Sequence, residues 1–225
     1  MVAVNKLSAE KATPERVRKA PARRDPEGAR TRILAAARTE FATKGLSGAR
    51  VDEIARRAGA NKRMLYHYFG NKQALFRLTL EGAYAEIRSA ERELKLDTLA
   101  PTDAMRVLVG FTFDYLAANP HFITLLNSEN LHQAQHLAGS DRIREMHSAM
   151  IEMIGNVLRR GEADGSFRAG ADPVQLFISM TGLSYFYFCN RYTLSSILGR
   201  DLMAPMAMRE RRQHAIEVIQ GYLRP

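Results

Sequence analysis

The chain has 225 residues, 46% of them hydrophobic, so it can bury a sizeable core as one large domain or two small ones. Its net charge of +9 is unevenly spread: residues 1–72 carry +10 and residues 73–225 carry −1, which points to a polyanion bound by the first third only. A single cysteine, Cys189, excludes an internal disulfide and fits a reducing compartment. Residues 1–26 hold no apolar signal core and read as a basic, disordered arm, with seven Lys/Arg against three acids up to Asp25. Asp25-Pro26 then opens a first helix, in which Ile33, Ala37 and Phe41 recur every four residues and which Gly45 ends. Val51, Ile54, Ala55 and Ala58 make a short amphipathic helix stopped by Gly59. Asn61 caps a third helix that runs to about Phe69, and Asn71 caps a fourth that runs to about Lys95.

Further on, Thr102 is placed to cap a fifth helix and Asn119-Pro120 to open a sixth. Asp141 opens a seventh, with a stripe of Ile143, Met146, Met150, Ile154 and Val157. After the turn-rich "DGSFRAGADP" (164–173), Asp172-Pro173 starts an eighth, and a last helix spans about 205–223. The most apolar window, residues 173–189, is short of the ~20 residues needed to cross a bilayer and contains Gln175, Ser179, Thr181 and Ser184, so it reads as a buried helix. No segment alternates as a strand would. The expected fold is all-α.

The stretch "NKRMLYHYFGNKQALF" (61–76) is unusually rich in cations and rings for a surface helix. On a helical wheel Leu65 and Phe69 face inward, while Arg63 and His67 fall about 160° and 200° away, flanked by Tyr66 and Met64. A guanidinium, an imidazole, a phenol and a thioether on one short rod suit a DNA major groove. Lys62 stands beside the free N–H groups of the first turn, where a phosphate is favoured, and Asn71-Lys72 makes a second such site. With the preceding helix and its glycine turn, the segment is a helix-turn-helix over about 50–69.

The run "TRILAAARTEFATKGLSGARVDEIARRAGANKRMLYHYFGNKQALF" resembles the DNA-binding domain of the TetR/AcrR family of bacterial transcriptional regulators. The likeness covers about residues 28–76, and "RRGEADGSFRAGADP" (159–173) is similar to that family's link into its eighth helix. The resemblance implies an all-α cytoplasmic homodimer acting on the bacterial nucleoid. Beyond the basic arm over 1–26, it implies a head over 27–87 and a ligand-binding and dimerisation body over 88–225, with the last two helices paired across a two-fold axis. It further implies operator contacts by Arg50, Lys62, Arg63, Met64, Tyr66 and His67, and a phosphate anchor at Lys72. Arg50 stands where the family usually has Ser or Thr, Arg63 where Gly is common, and Met64 where Thr is common.

In the body, "ENLHQAQH" sets Glu129, His132 and His136 along one helix face. A His pair at i, i+4 can chelate a metal, but no second ligand cluster is visible, so a polar face against a pocket or water is the expectation and no metal or other cofactor is assigned. Phosphate-loop and nucleophile-elbow motifs are absent from the sequence, and no enzyme is expected. Phe111, Tyr115, Met146, Met150, Phe177 and Met180 are expected to line a ligand pocket, with Asn127, Glu129, Asn130 and His132 orienting what it holds. "NSENLHQAQHL" is also similar to nicotinate-responsive repressors of the same family, which implies an aromatic acid as effector. The overall expectation is a repressor released from an inverted-repeat operator by a small molecule. The rivals are a regulator of the same fold without a ligand, and a helical metalloenzyme built on Glu129, His132 and His136.

Overall fold

The computed structural model describes residues 25–225, so the expected basic arm lies outside the described residues apart from its last two. Ten α-helices follow one another without a strand among the described residues. The first, α1 (Pro26–Gly48), starts where expected: the Asp25 carboxylate accepts the Gly28 N–H at 2.9 Å, and Pro26 takes the first helical position. Gly45 breaks its regular winding at φ 64°, ψ −179°, and one further turn follows to Gly48. Only glycine adopts that backbone without strain. The kink presents the Leu46 N–H to Ser128 Oγ, 2.9 Å away.

Then come α2 (Val51–Arg57), α3 (Lys62–Phe69) and α4 (Lys72–Arg92). Asn61 and Asn71 cap α3 and α4 as expected, each accepting from the backbone N–H three residues on at 2.8 Å. The fourth helix stops at Arg92 rather than near Lys95, because Lys95 turns left-handed (φ 48°) into a 3₁₀ turn at Leu96–Thr98. Next, α5 (Pro101–Ala118) begins before Thr102, which lies in its first turn and is not the cap; Pro101 sets the start by its fixed φ. After α6 (Pro120–Leu131), the cap of α7 (Asp141–Ala163) is Ser140, one residue earlier than expected, with its Oγ donating to Glu81 at 2.9 Å. The last three are α8 (Pro173–Cys189), α9 (Arg191–Leu198) and α10 (Pro205–Leu223). The short α9 was not legible as a separate helix, since it buries no residue and so carries no apolar stripe directed at a core.

Two buried clusters hold the helices together. One begins in the first helices with Ile33, Phe41, Leu65 and Phe76 and continues through Tyr84, Phe113 and Phe122 to Phe188. Phe41 and Phe76 meet edge-on at 5.0 Å and tie α1 to α4. The other cluster packs Met105, Leu108, Ile154, Met180, Ile216 and Leu223 at the far end. Full burial of each such side chain is worth about 1.5–3 kcal/mol. The eighth helix departs from its reading as buried. Leu176, Met180, Tyr187 and Phe188 pack inward, while Val174, Ile178 and Phe186 remain exposed, Phe186 by 58%. No helix among the described residues is long and apolar enough to cross a membrane.

Candidate DNA interface and effector cavity

The helix-turn-helix closes around Leu65 and Phe69, which are buried against Ile54, Ala55 and Ala58 of the α2 segment. Burying that face turns Lys62, Arg63, Met64, Tyr66 and His67 outward, and all five are exposed. Glu40 of α1 fixes the geometry from behind. Its buried carboxylate accepts the Arg50 N–H at 3.2 Å and the Lys44 ammonium at 2.8 Å, with Arg57 at 3.9 Å. Burial pushes the Glu40 pKa up, but these donors outweigh it and hold the group below the usual carboxylate range. Arg50 therefore starts α2 through its backbone, and its side chain is exposed.

The cations differ in how free they are. Arg56 and Arg57 are bound to Glu53, which they hold at a pKa of about 2. Lys62 pairs with Asp52 at 3.2 Å across the turn. Arg63 has no carboxylate within ion-pair distance among the described residues. Lys72 is half-buried and donates to the Ser47 carbonyl at 3.3 Å. Burial pushes its pKa down, partly offset by Glu40.

A cavity of about 180 Å³ lies between α4, α5, α6, α7 and α8. Tyr84, Phe122, Phe177 and Tyr185 supply rings, and His147, Arg88 and Glu91 the polar atoms. The Arg88 side chain is 6% exposed and Glu91 is 2% exposed. Their Nη1 and Oε2 atoms approach to 2.9 Å, yet the angle is poor, so neither atom makes a hydrogen bond, and Arg88 Nε is also without a partner. Burial pushes Glu91 up to a pKa of about 7, against the lowering pull of Arg88 and Arg92. His147 Nδ1–H donates to Ile143 O at 2.9 Å; burial pushes its pKa down, the Ile143 carbonyl raises it, and the charge of Arg88 lowers it further.

Of the side chains expected to line a pocket, Phe177 and Met180 do so. The others lie outside this cavity. Tyr115 does not line the cavity; its ring lies 6.1 Å from the Phe122 ring, with Phe111 tilted against it at 5.7 Å. Met146 rests on the edge of the first cluster and Met150 is buried in the second. Asn127 accepts from the Tyr185 hydroxyl, and Asn130 is exposed. Glu129 and His132 lie at the joint between α6 and the head. Glu129 accepts the backbone N–H groups of His136 and Leu137, at 2.8 and 3.0 Å, and faces the His136 ring at 2.7 Å. Those partners occupy both oxygens, so the triad closes a turn. His132 bonds Ser128 O through Nδ1 and stands 3.5 Å from Ser47 Oγ. Sequence reasoning missed Arg88, Tyr84 and His147. The available signal was Arg88 and Glu91 falling on the stripe of Tyr84 and Ile87, charged residues on an inward face.

Sequence profiles of known families match both parts of the chain. Residues 33–79 match "Bacterial regulatory proteins, tetR family", and residues 101–219 match "Tetracyclin repressor-like, C-terminal domain". The chain belongs to the TetR family. Among its relatives is the HTH-type transcriptional repressor NicS of Pseudomonas putida, 39% identical over 173 residues, which span 77% of this chain and 82% of NicS. The HTH-type transcriptional repressor KstR2 of Rhodococcus jostii is 29% identical over 148 residues, 64% of this chain and 71% of that one. A solved structure, the transcriptional regulator SCO4942 of Streptomyces coelicolor, superposes with a TM-score of 0.65 at 27% identity, covering 88% of this chain and 99% of its own. This TetR-family chain is accordingly a DNA-binding regulator of transcription, as its curated relatives are.

Proposed function

We propose that this chain represses transcription as a homodimer on an inverted-repeat operator in the bacterial cytoplasm, and that a small aromatic acid in the α4–α8 cavity releases it. The observation that carries this reading is the double duty of α4. Its middle and end supply Tyr84, Ile87, Arg88 and Glu91 to the cavity wall, while its first residue, Lys72, abuts the reading helix. Arg63 and His67 would meet base edges, with Met64 and Tyr66 beside them; Arg50, Lys62 and Lys72 would hold phosphates. An effector that moves α4 changes the spacing of two such heads on DNA. The size of the cavity supports a single-ring effector: an apolar cavity of roughly 150 Å³ accommodates benzene, whereas drug-sized ligands fill about 300 Å³ or more. The exposed apolar sides of α8 and α10 (Ile178, Phe186, Met206, Val218) support a second copy as the partner.

The test has two parts. The DNA flanking the gene is searched for an inverted repeat, and affinity for it is measured with and without benzoate, nicotinate and related ring acids. The expected result is a raised melting temperature and an operator affinity reduced about 5- to 150-fold. If every compound that raises the melting temperature leaves operator affinity unchanged, the cavity binds without switching and the proposal fails.

A further inference from the structure

This inference rests on the proposed function, since it concerns how the same cavity recognises its effector. A buried guanidinium is normally matched by well-aligned acceptors, because an unpaired buried charge is costly. Arg88 departs from that rule: at 6% exposure, its Nε and Nη1 have no hydrogen-bond partner, and its Cζ lies 5.7 Å from the Phe177 ring centroid. The one carboxylate close to it, Glu91, is three residues on along the same helix and is not aligned to accept from it. An Arg fork in this state has unused donors of the geometry a carboxylate accepts, beside rings that suit a flat ligand.

We propose that Arg88 is the anion anchor of the cavity and Glu91 its resting counter-ion. The carboxylate of an aromatic monoacid takes the place of Glu91 on Arg88, and a proton from solvent neutralises Glu91 as it does so. Two carboxylates on one buried guanidinium repel, and protonating the endogenous one removes the repulsion. The resting state is poised for this, since Glu91 already has its pKa raised to about 7 by burial. The other groups around the pair are Tyr84 and Arg92 on α4, Tyr115 on α5, His147 on α7 and Tyr185 on α8. Burial pushes all three phenols up, Tyr185 to about 12, so they stay protonated near neutrality. His147 is the other group able to take a proton there, which the test must separate.

Calorimetric titration with benzoate and its neutral isostere benzamide, at pH 6 and pH 8 in buffers of differing ionisation enthalpy, decides the matter. Benzoate should bind at least about tenfold tighter than benzamide at pH 6. At pH 8 it should draw about one proton from the buffer and bind about tenfold more weakly than at pH 6, as linkage to a group titrating near 7 requires. Glu91→Gln should abolish both the uptake and the pH dependence while binding benzoate, whereas His147→Gln should keep both. Arg88→Met should bind benzoate and benzamide alike. Wild-type affinity for benzamide equal to that for benzoate, uptake that survives Glu91→Gln, or no binding of either probe overturns the proposal. A neutral compound that lifts both wild type and Arg88→Met off the operator overturns this anchor and leaves the repressor reading intact. A protein that no small molecule lifts from its operator overturns that reading too.

Discussion

At the scale of single residues, what distinguishes the groups is whether they have a partner already. Arg63 is exposed with no carboxylate at hand, so its donors are available to a base. Arg63→Ala should cost about 1–3 kcal/mol on the operator and relax preference at one base pair, read by fluorescence anisotropy on operator variants. An equal loss on random DNA would show that it contacts phosphate instead. Lys72 sits off the reading face and bonds the Ser47 carbonyl, so Lys72→Ala should weaken all sequences alike and flatten the salt slope by about one unit. Glu91 gives a stability prediction with a definite sign. Its folded pKa of about 7 lies above its ordinary 4.5, so between those values the folded state holds a proton the unfolded state has lost. Stability from this group is full below about 4.5 and falls as pH rises through 7, by on the order of 3 kcal/mol. Urea melts at pH 5 and pH 8 should show that decline in wild type and a flatter line in Glu91→Gln. Parallel slopes in the two proteins would mean Glu91 ionises freely in the fold.

At the scale of elements, two of the links that join the head to the body carry predictions. One is α4, which spans both. The other is the end of α6, where Ser128 takes the Leu46 N–H, His132 stands by Ser47, and His136 meets the Phe76 ring at 5.3 Å. Gly45 makes the second link possible. A Cβ there would stand 3.3 Å from Ser128 Oγ, and its φ of +64° is one that L residues rarely adopt. Gly45→Ala should destabilise the protein by about 1–3 kcal/mol in a denaturant melt. Ser128→Ala leaves a buried N–H without an acceptor and should cost about 1–3 kcal/mol as well. A neutral result for both variants would remove the α6 joint from the account and leave α4 alone. Helix starts were legible in the sequence at Asp25, Asn61, Asn71 and Asp172, where a side chain caps the backbone, and were off by one at Ser140. The ends were less so, because Lys95 turns left-handed without a glycine to announce it.

At the scale of the whole molecule, ten of the fourteen exposed large apolar residues among the described ones lie from α8 to α10, with Tyr192 and Ile197 of α9 exposed by 75% and 77%. A second copy covering them would set two heads about one DNA turn or a little more apart. Light scattering at micromolar concentration should give a dimer, and Phe186→Glu together with Ile178→Glu should give monomers that retain helix but lose tight operator binding. Wild-type monomers would defeat this arrangement. Coupling between effector and operator is reciprocal by thermodynamic necessity. Benzoate, or whichever ring acid releases the operator, should therefore bind the protein–operator complex more weakly by the same factor, about 1–3 kcal/mol. Equal affinity in both states would describe a bound molecule without a switch.

The amino-acid sequence by itself determined the all-α class, the order of the long helices and the outward face of α3. Each follows from information local to a few turns: a capping side chain, an apolar period, a charge excess confined to one third of the chain. Only the tertiary structure decided which residues form the cavity. Met150, Glu129 and His132 have the composition of pocket residues, but packing sends Met150 into the far cluster and the other two to the joint with α1. Arg88 has the composition of a solvated helix face, and packing buries it between Phe177 and Glu91. A helix period tells which side of a helix is buried; which neighbour buries it, and whether a gap remains, depends on contacts among side chains tens of residues apart, which no local pattern encodes.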